Sequence, residues 1–576
     1  MQKLFEKNLN FFKTYLPDYF KLVTSIKERN YIIKNDNLYD RQGNKIYPNS
    51  ITQDSKTIAK NPVRNPLWKR HFFIKPQKWD EKEFYATGKI INSFITDKDT
   101  YYFDESFLPT TVIFGLITGK FLEELKKYTF QSLFVYEPNP EFFAISLYFI
   151  DYEEIYKKYD KRFFLWVGGR IDYFAIEKFF FERVVSSSFV NLFYEAYSHP
   201  LIDDAKEKFL NIQASKLRGW GTFEDEIKGI KNHLKNINKY PLLNAPKKIN
   251  VPFCIVANGK SLEKNMEFIK QNQDSMIIVS VGTAIKPLLR AGIESDFHFE
   301  QERIPILIDA LKDVLPNYKG YFVGASVVNP KVFEMAKNPL MYIREAFSLE
   351  KGLPVLKGAS PIVGNAGFAF CTNFTKEIYL CGMDLGFRLN EKKHAKGSFY
   401  DERDDVQTSG IKVKGNFSDD IYTDSLLLSS KRNIERMIKI HNLKVYNLSD
   451  GAFIEGSIPL KEKKLPKINK QKYIKEILSA FSKEKFQTQF PQISNLLKAI
   501  QKALQMPVKN QKELTGIIDF IEDMLKEYSK IDKNAYNLLR GSVFHILINF
   551  YAESFKGTKP KVKNLLLFDS FLKKLQ

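Results

Sequence analysis

Short apolar runs alternate with amphipathic stretches through the middle of the chain: FCIV at 253–256, MIIVSV at 276–281, YFV at 321–323 and EIYLC at 377–381. Each closes on small or polar residues before a helical periodicity begins, as in Asn258-Gly259-Lys260-Ser261, Gly282-Thr283 and Gly382-Met383-Asp384-Leu385. An unbroken apolar run bounded by turn residues fits a strand buried on both faces. Strands alternating with helices predict an open parallel sheet whose ligand crevice lies at the strands' C-terminal ends. Helix starts carry unpaired N–H groups and a partial positive charge, so the turn at 258–261 is a candidate phosphate seat. It has neither the spacing of a Walker loop nor that of G-x-G-x-x-G, and a plain strand-to-helix junction is the alternative reading.

The flanking patterns differ. Residues 1–240 predict an N-terminal α/β domain, with a small hairpin in the Asn-, Asp- and Gly-rich stretch at 31–50. It also holds a strand–turn–helix–strand unit built on Thr111, Gly115, Gly119 and Glu137. Gly115 and Gly119 stand four apart and Pro138 follows Glu137, so this unit reads as a degenerate Rossmann-like fold. Residues 241–460 form the expected central Rossmann-like domain. From 461 to 576 the periodicity is helical and predicts a C-terminal bundle.

At 576 residues the chain is long enough for about two to four domains. No uncharged apolar stretch long enough to span a membrane is present and the N-terminus is charged throughout, which points to a cytoplasmic protein. Cys254, Cys371 and Cys381 lie in apolar contexts without C-x-x-C spacing, as expected of buried thiols. The net charge of +21 is uneven: residues 461–576 hold 23 Lys and Arg against 11 Asp and Glu. Those lysines are spread along amphipathic helices and not clustered with aromatics, so a solvated face, and no nucleic acid, is the expectation.

The segments VANGKSLEKN, VSVGTAIKPLLRAGIESDFHFEQE, GNAGFAFCTNFTKEIYLCGMDLGF, KKHAKGS and VYNLSDGAFIEG, in that order across roughly 245–457, resemble the central domain of the motility accessory factor (Maf) proteins of flagellated bacteria. TVIFGLITGKFLEEL and LFVYEPNPEFF resemble the N-terminal domain of the same family. The resemblance implies a glycosyltransferase with a sialyltransferase-like central domain. Such an enzyme moves a nonulosonic acid, pseudaminic or legionaminic, from its CMP-activated donor to serine and threonine hydroxyls of flagellin. Donor CMP-pseudaminic or CMP-legionaminic acid and flagellin are then the expected partners, with no required cofactor.

Such a transfer needs a nucleotide cradle, help for the departing phosphate and a base for the acceptor hydroxyl. Asn258, Gly259 and Ser261 are the cradle candidates, since amide, backbone and hydroxyl groups bind phosphate without a metal. Lys260 departs from the proline usual there. Gly282 and Thr283 are placed at the ribose or sugar pocket, and Asn365 and Gly367 by resemblance at the cytidine; close helix–sheet packing is the alternative for that pair. Asp384, at a strand end, and His394, in the loop LNEKKHAKGS, are the catalytic candidates together with Glu300, which is expected to meet the sugar or the acceptor. Phe387 stands where related sequences often have tyrosine, and Tyr400 is the substitute phenol considered. Asp296, Glu300 and Glu302 share one side of an extended chain and offer Mg²⁺ an oxygen ligand set, although the sialyltransferase resemblance implies metal independence. His298 reads equally as a packed core residue. Two other function classes stay open: an ATP- and Mg²⁺-dependent pterin pyrophosphokinase, which the central domain also resembles, and a non-enzymatic flagellin-binding factor.

Overall fold

The computed structural model describes residues 1–345, 349–350, 352–401, 403, 406–483 and 485–575. The chain forms two compact units, Met1–Glu224 with Gln492–Phe571, and Asp225–Pro491 with Leu572–Gln576. The expected helical tail at 461–576 is thus shared: its first part belongs to the second unit and its long helices to the first. Both units are α/β with parallel strands.

In the first unit the sheet runs β1 (Lys69–Phe72), β5 (Val190–Glu195), β2 (Thr110–Phe114), β3 (Leu133–Glu137), β4 (Phe163–Val167), parallel except for β1. Its apolar strands are covered by helix aromatics such as Phe179 and Phe209, which pack on Phe134 of β3. Ile32–Lys34 pairs antiparallel with Asn37–Tyr39 as the expected hairpin. Helices Gln511–Ile531 and Lys533–Ser554 pack on each other within this unit, the second starting at the N-cap Asp532.

The Rossmann-like turn here is closed by the chain's own side chains. A Cβ at Gly115 would lie 2.6 Å from the Tyr197 ring, so the aromatic occupies the space beside the turn. Glu137 accepts hydrogen bonds from the N–H of Leu116 at 2.6 Å, the N–H of Asn139 at 2.8 Å and the Tyr197 hydroxyl. Its carboxylate is committed to the turn, and burial pushes its pKa up to about 7.

The second unit is built on an eleven-stranded sheet. Its strands are β6 (Leu242–Leu243), β7 (Phe253–Val256), β8 (Ile277–Val281), β9 (Phe297–Glu300), β10 (Tyr321–Ala325), β11 (Pro339–Arg344), β12 (Val355–Leu356), β13 (Glu377–Cys381), β14 (Lys444–Asn447), β15 (Ser457–Pro459) and β16 (Phe481–Ser482). They are ordered β15-β14-β13-β7-β8-β9-β10-β11-β6-β16, with β12 beside β11. All pairs are parallel except β6 with β16. From β7 the chain steps one way through β8 to β11, then returns to lay β13 on the other side of β7. The connections leaving β7 and β13 therefore diverge, which opens a crevice at their carboxyl ends. The three cysteines are buried and free, with Cys254 and Cys381 facing across these strands at 3.7 Å.

Candidate functional site

A cavity of about 420 Å³ opens at that switch point. Its wall begins with Ala257, Asn258 and Gly259 after β7, Gly282 and Thr283 after β8, and Glu300 at the end of β9. Gly382 and Asp384 after β13 face them, and Lys393, His394 and Tyr400 come from the loop beyond.

The turn after β7 is clamped to β13. The Gly259 N–H donates to the Gly382 carbonyl at 2.8 Å, and a Cβ at Gly259 would lie 2.4 Å from Asp384 Cγ. Only glycine allows this approach. Asp384, 5% exposed, accepts from the Ser261 N–H at 2.9 Å and from the Ser261 hydroxyl. Burial pushes its carboxyl up to about 6, opposed by those Ser261 bonds. The backbone under Asp384 is held by Asn265 Oδ1, which accepts from the Gly382 N–H at 3.0 Å, and by Ser449 Oγ, which accepts from the Met383 N–H at 2.8 Å.

The same turn carries the histidine loop. The Ala395 N–H donates to the Asn258 carbonyl and the Lys260 N–H to the Lys393 carbonyl, both at 3.1 Å. Gly259 and His394 are thereby bridged as a short antiparallel pair. Half-buried, His394 stacks on Tyr400 with ring centres 5.1 Å apart and planes 28° apart. The backbone of His394 is thus paired with a glycine turn that lies far from it in sequence. Asn258 points its amide at Thr283 Oγ1, 2.7 Å away, which leaves its buried Oδ1 without a hydrogen-bond partner.

Not every candidate reaches the cavity. Ser261 is buried against Asp384 and acts on the turn through it. Asn365 is fully buried: it donates to the Ser430 carbonyl at 3.0 Å and accepts from the Ser430 hydroxyl at 2.8 Å, joining helices Val363–Phe374 and Ser425–His441. A Cβ at Gly367 would lie 2.5 Å from Val281 Cγ1, so this glycine lets the first helix lie close on β8. Its neighbours Ile362, Val363 and Gly364, at the helix start, line the cavity instead. Asp296 precedes β9, at the opposite end from Glu300; it pairs with Lys470 at 2.9 Å and accepts from the Ile278 N–H at 2.7 Å. The three acids do not converge, and among the described residues no cluster of His, Cys, Asp or Glu suited to a metal assembles.

Sequence reasoning missed Asp424, Leu426 and Leu427, which bring a second helix start to the cavity. Asp424 caps that helix through the Leu426 and Leu427 N–H groups, at 2.9 and 2.8 Å. The signal was legible as an aspartate just before an amphipathic run. The start of Val363–Phe374, a glycine turn and a histidine around one crevice form a site suited to an anionic ligand and to proton transfer, while the start of Ser425–His441 is already capped by the Asp424 carboxylate.

Comparison with known proteins agrees with this architecture. The family model for the glycosyltransferase Maf N-terminal domain matches residues 4–216, and the 6-hydroxymethylpterin diphosphokinase MptE-like model matches residues 227–390. No curated protein sequence matches the chain. The solved structure of a Maf glycosyltransferase from Magnetospirillum magneticum AMB-1 is similar in fold, with a TM-score of 0.66 at 19% identity over 99% of this chain and 95% of that one. The chain thus carries a Maf glycosyltransferase N-terminal domain and an MptE-like domain, and has the fold of a Maf glycosyltransferase.

Proposed function

We propose that this glycosyltransferase moves a nonulosonic acid from a CMP-activated donor to serine and threonine hydroxyls of flagellin in the cytoplasm. The observation that carries the reading is the clasp of His394 onto the Gly259 turn at the sheet's switch point, within one nucleotide-sized cavity. In this reading the turn and the start of Val363–Phe374 receive the CMP phosphate, and Asn258 with Thr283 meets the ribose or sugar. Exposed Ile304, Ile306 and Leu426 give the cavity an apolar rim that suits the sugar's methyl and acyl groups. His394 takes the proton from the acceptor hydroxyl or supports the departing phosphate, and Asp384 keeps the turn in place. Among the described residues no helix is long and apolar enough to cross a membrane.

The MptE-like match favours a second reading, pyrophosphoryl transfer from ATP with Mg²⁺. Thermal stabilisation separates the two: CMP or CDP stabilises the protein in the first case, ATP with Mg²⁺ in the second. The deciding experiment is the intact mass of flagellin from cells that make the activated sugar, with and without this protein. A sugar-sized mass increment that depends on the protein supports transfer; identical masses rule it out.

A further inference from the structure

The cavity wall contains a buried polar chain that the scheme above does not use. Glu300 lines the cavity yet is only 2% exposed. Its Oε1 is buried without a hydrogen-bond partner, 3.5 Å from His298 Nε2, which is buried and unpartnered too. Behind the imidazole, Nδ1 lies 2.9 Å from Ser280 Oγ, Ser280 Oγ 2.7 Å from Ser295 Oγ, and Ser295 Oγ 3.0 Å from the Tyr318 hydroxyl. Tyr318 directs its hydrogen to the Ser295 carbonyl at 2.8 Å.

A hydroxyl has one hydrogen, so that last bond sets the direction of all the others. Ser295 donates to Tyr318, Ser280 donates to Ser295, and His298 donates from Nδ1 to Ser280. In neutral His298 the Nε2 lone pair then faces Glu300 Oε1. A carboxylate oxygen against a lone pair, both out of water, is unfavourable, and one proton between them removes the conflict.

We propose that Glu300 and His298 hold a single proton between Oε1 and Nε2, so that the pair is net neutral and His298 is a positioning residue that keeps Glu300 in the cavity wall without adding negative charge there. Its purpose rests on the CMP-sugar reading, because a donor carrying a phosphate and a carboxylate would be repelled by an ionised Glu300. The surroundings add little positive charge. On the same segment stands Glu302; from β11 come Tyr342, whose hydroxyl lies 3.5 Å from the Glu300 carbonyl, and Arg344. Tyr318 closes the far side. Across the cavity stand Asp384 and Asp424, with Lys393 and His394. Burial raises the Glu300 pKa, in the direction that retains the proton.

The arrangement is read directly by nitrogen NMR of ¹⁵N-histidine-labelled full-length protein without nucleotide, with His298 assigned by its loss in His298→Asn. The expected spectrum has Nδ1 protonated and an Nε2 shift displaced from that of a bare imidazole nitrogen by the shared proton. Glu300→Gln, which offers an N–H to Nε2, keeps the Nδ1–H signal. A bare Nε2, or an Nε2–H tautomer with bare Nδ1, in the wild type overturns the proposal. The second measurement is CMP affinity against pH. The ratio of His298→Asn to wild-type Kd should rise about tenfold as pH is raised and the unpaired Glu300 ionises near the phosphate, and adding Glu300→Gln should flatten it. A constant ratio in folded protein refutes the coupling. Wild-type protein that shows the Nδ1–H signal and the displaced Nε2 shift yet binds no CMP sinks the donor reading and leaves the shared proton standing.

Discussion

Ser261→Ala separates a phosphate ligand from a residue that acts through Asp384. In the structure the Ser261 hydroxyl faces the buried Asp384 carboxyl, and the Ser261 N–H binds its other oxygen at 2.9 Å. Alanine keeps the backbone bond and removes the hydroxyl. A hydrogen bond to an ionised group contributes about 1.5–3 kcal/mol and one to a neutral group about 0.5–1.5 kcal/mol, so the loss depends on the charge of Asp384. Burial holds that group's folded pKa at about 6, above the ordinary 3.8. The native state therefore binds the proton more tightly than the unfolded chain, and stability is lost as pH rises from 3.8 through about 6. Without the hydroxyl the folded pKa climbs further and the loss continues to higher pH. The destabilisation by Ser261→Ala should thus be about 0.5–1.5 kcal/mol at pH 5 and grow to about 1.5–3 kcal/mol at pH 8. Urea unfolding of both proteins at several pH values measures it, with CMP affinity recorded in parallel. A pH-independent difference, or lost CMP affinity at unchanged stability, would refute the Asp384 route and return Ser261 to the phosphate.

Three further outcomes test other parts of the molecule. His394→Ala should leave CMP affinity nearly intact and lower transfer to flagellin by about 10²- to 10⁴-fold; transfer within about twofold of wild type ends the catalytic assignment. Gly259→Ala sets a Cβ 2.4 Å from Asp384 Cγ and 2.6 Å from the Gly382 carbonyl, so it should cost about 1–3 kcal/mol in unfolding and weaken CMP binding together. Glu522 accepts from the Val185 N–H at 2.7 Å while its Oε2 is buried without a partner, and burial with nearby Asp519 pushes its pKa up to about 8. Its stabilising proton is lost as pH rises from 4.5 toward 8, so Glu522→Gln should match wild type near pH 5 and exceed it at pH 8.5 by on the order of a few kcal/mol, read by denaturation.

The strands of the central sheet were legible because a parallel strand buried on both faces must be an apolar run, and FCIV, IIVSV and EIYLC admit little else. The turns that follow them marked the crevice for the same reason: polar and glycine residues collect where the sheet stops. Partners within the crevice were not legible. The bridge of Gly259 to His394 joins segments separated along the chain by six strands of the sheet, and no local pattern encodes it. Asn365 and Gly367 show why residue type alone misleads. An amide and a glycine serve a ligand or a helix contact equally well, and which occurs depends on how the helix is rotated against Ser430 and Val281. The assignment of the long helices at 492–571 to the first unit is likewise a non-local outcome that amphipathic periodicity leaves open.

The β9 strand carries this distinction to its limit. Alternation puts Asp296, His298 and Glu300 on one side of an extended chain, and an acidic pair near a histidine invites a metal site. A strand rises about 3.3 Å per residue, so residues at its two ends meet different surroundings even on one face. Asp296, at the start, finds Lys470 and the Ile278 N–H; Glu300, at the end, reaches the cavity; His298, between them, is enclosed by Ser280 and Tyr318. Three residues that look alike in register thus take three roles, set by whether the neighbouring element supplies a cation, a hydroxyl or an opening. The carboxyl end of the strand alone combines burial with access to a ligand, which is why a protonation state fixed from behind can act at the site in front.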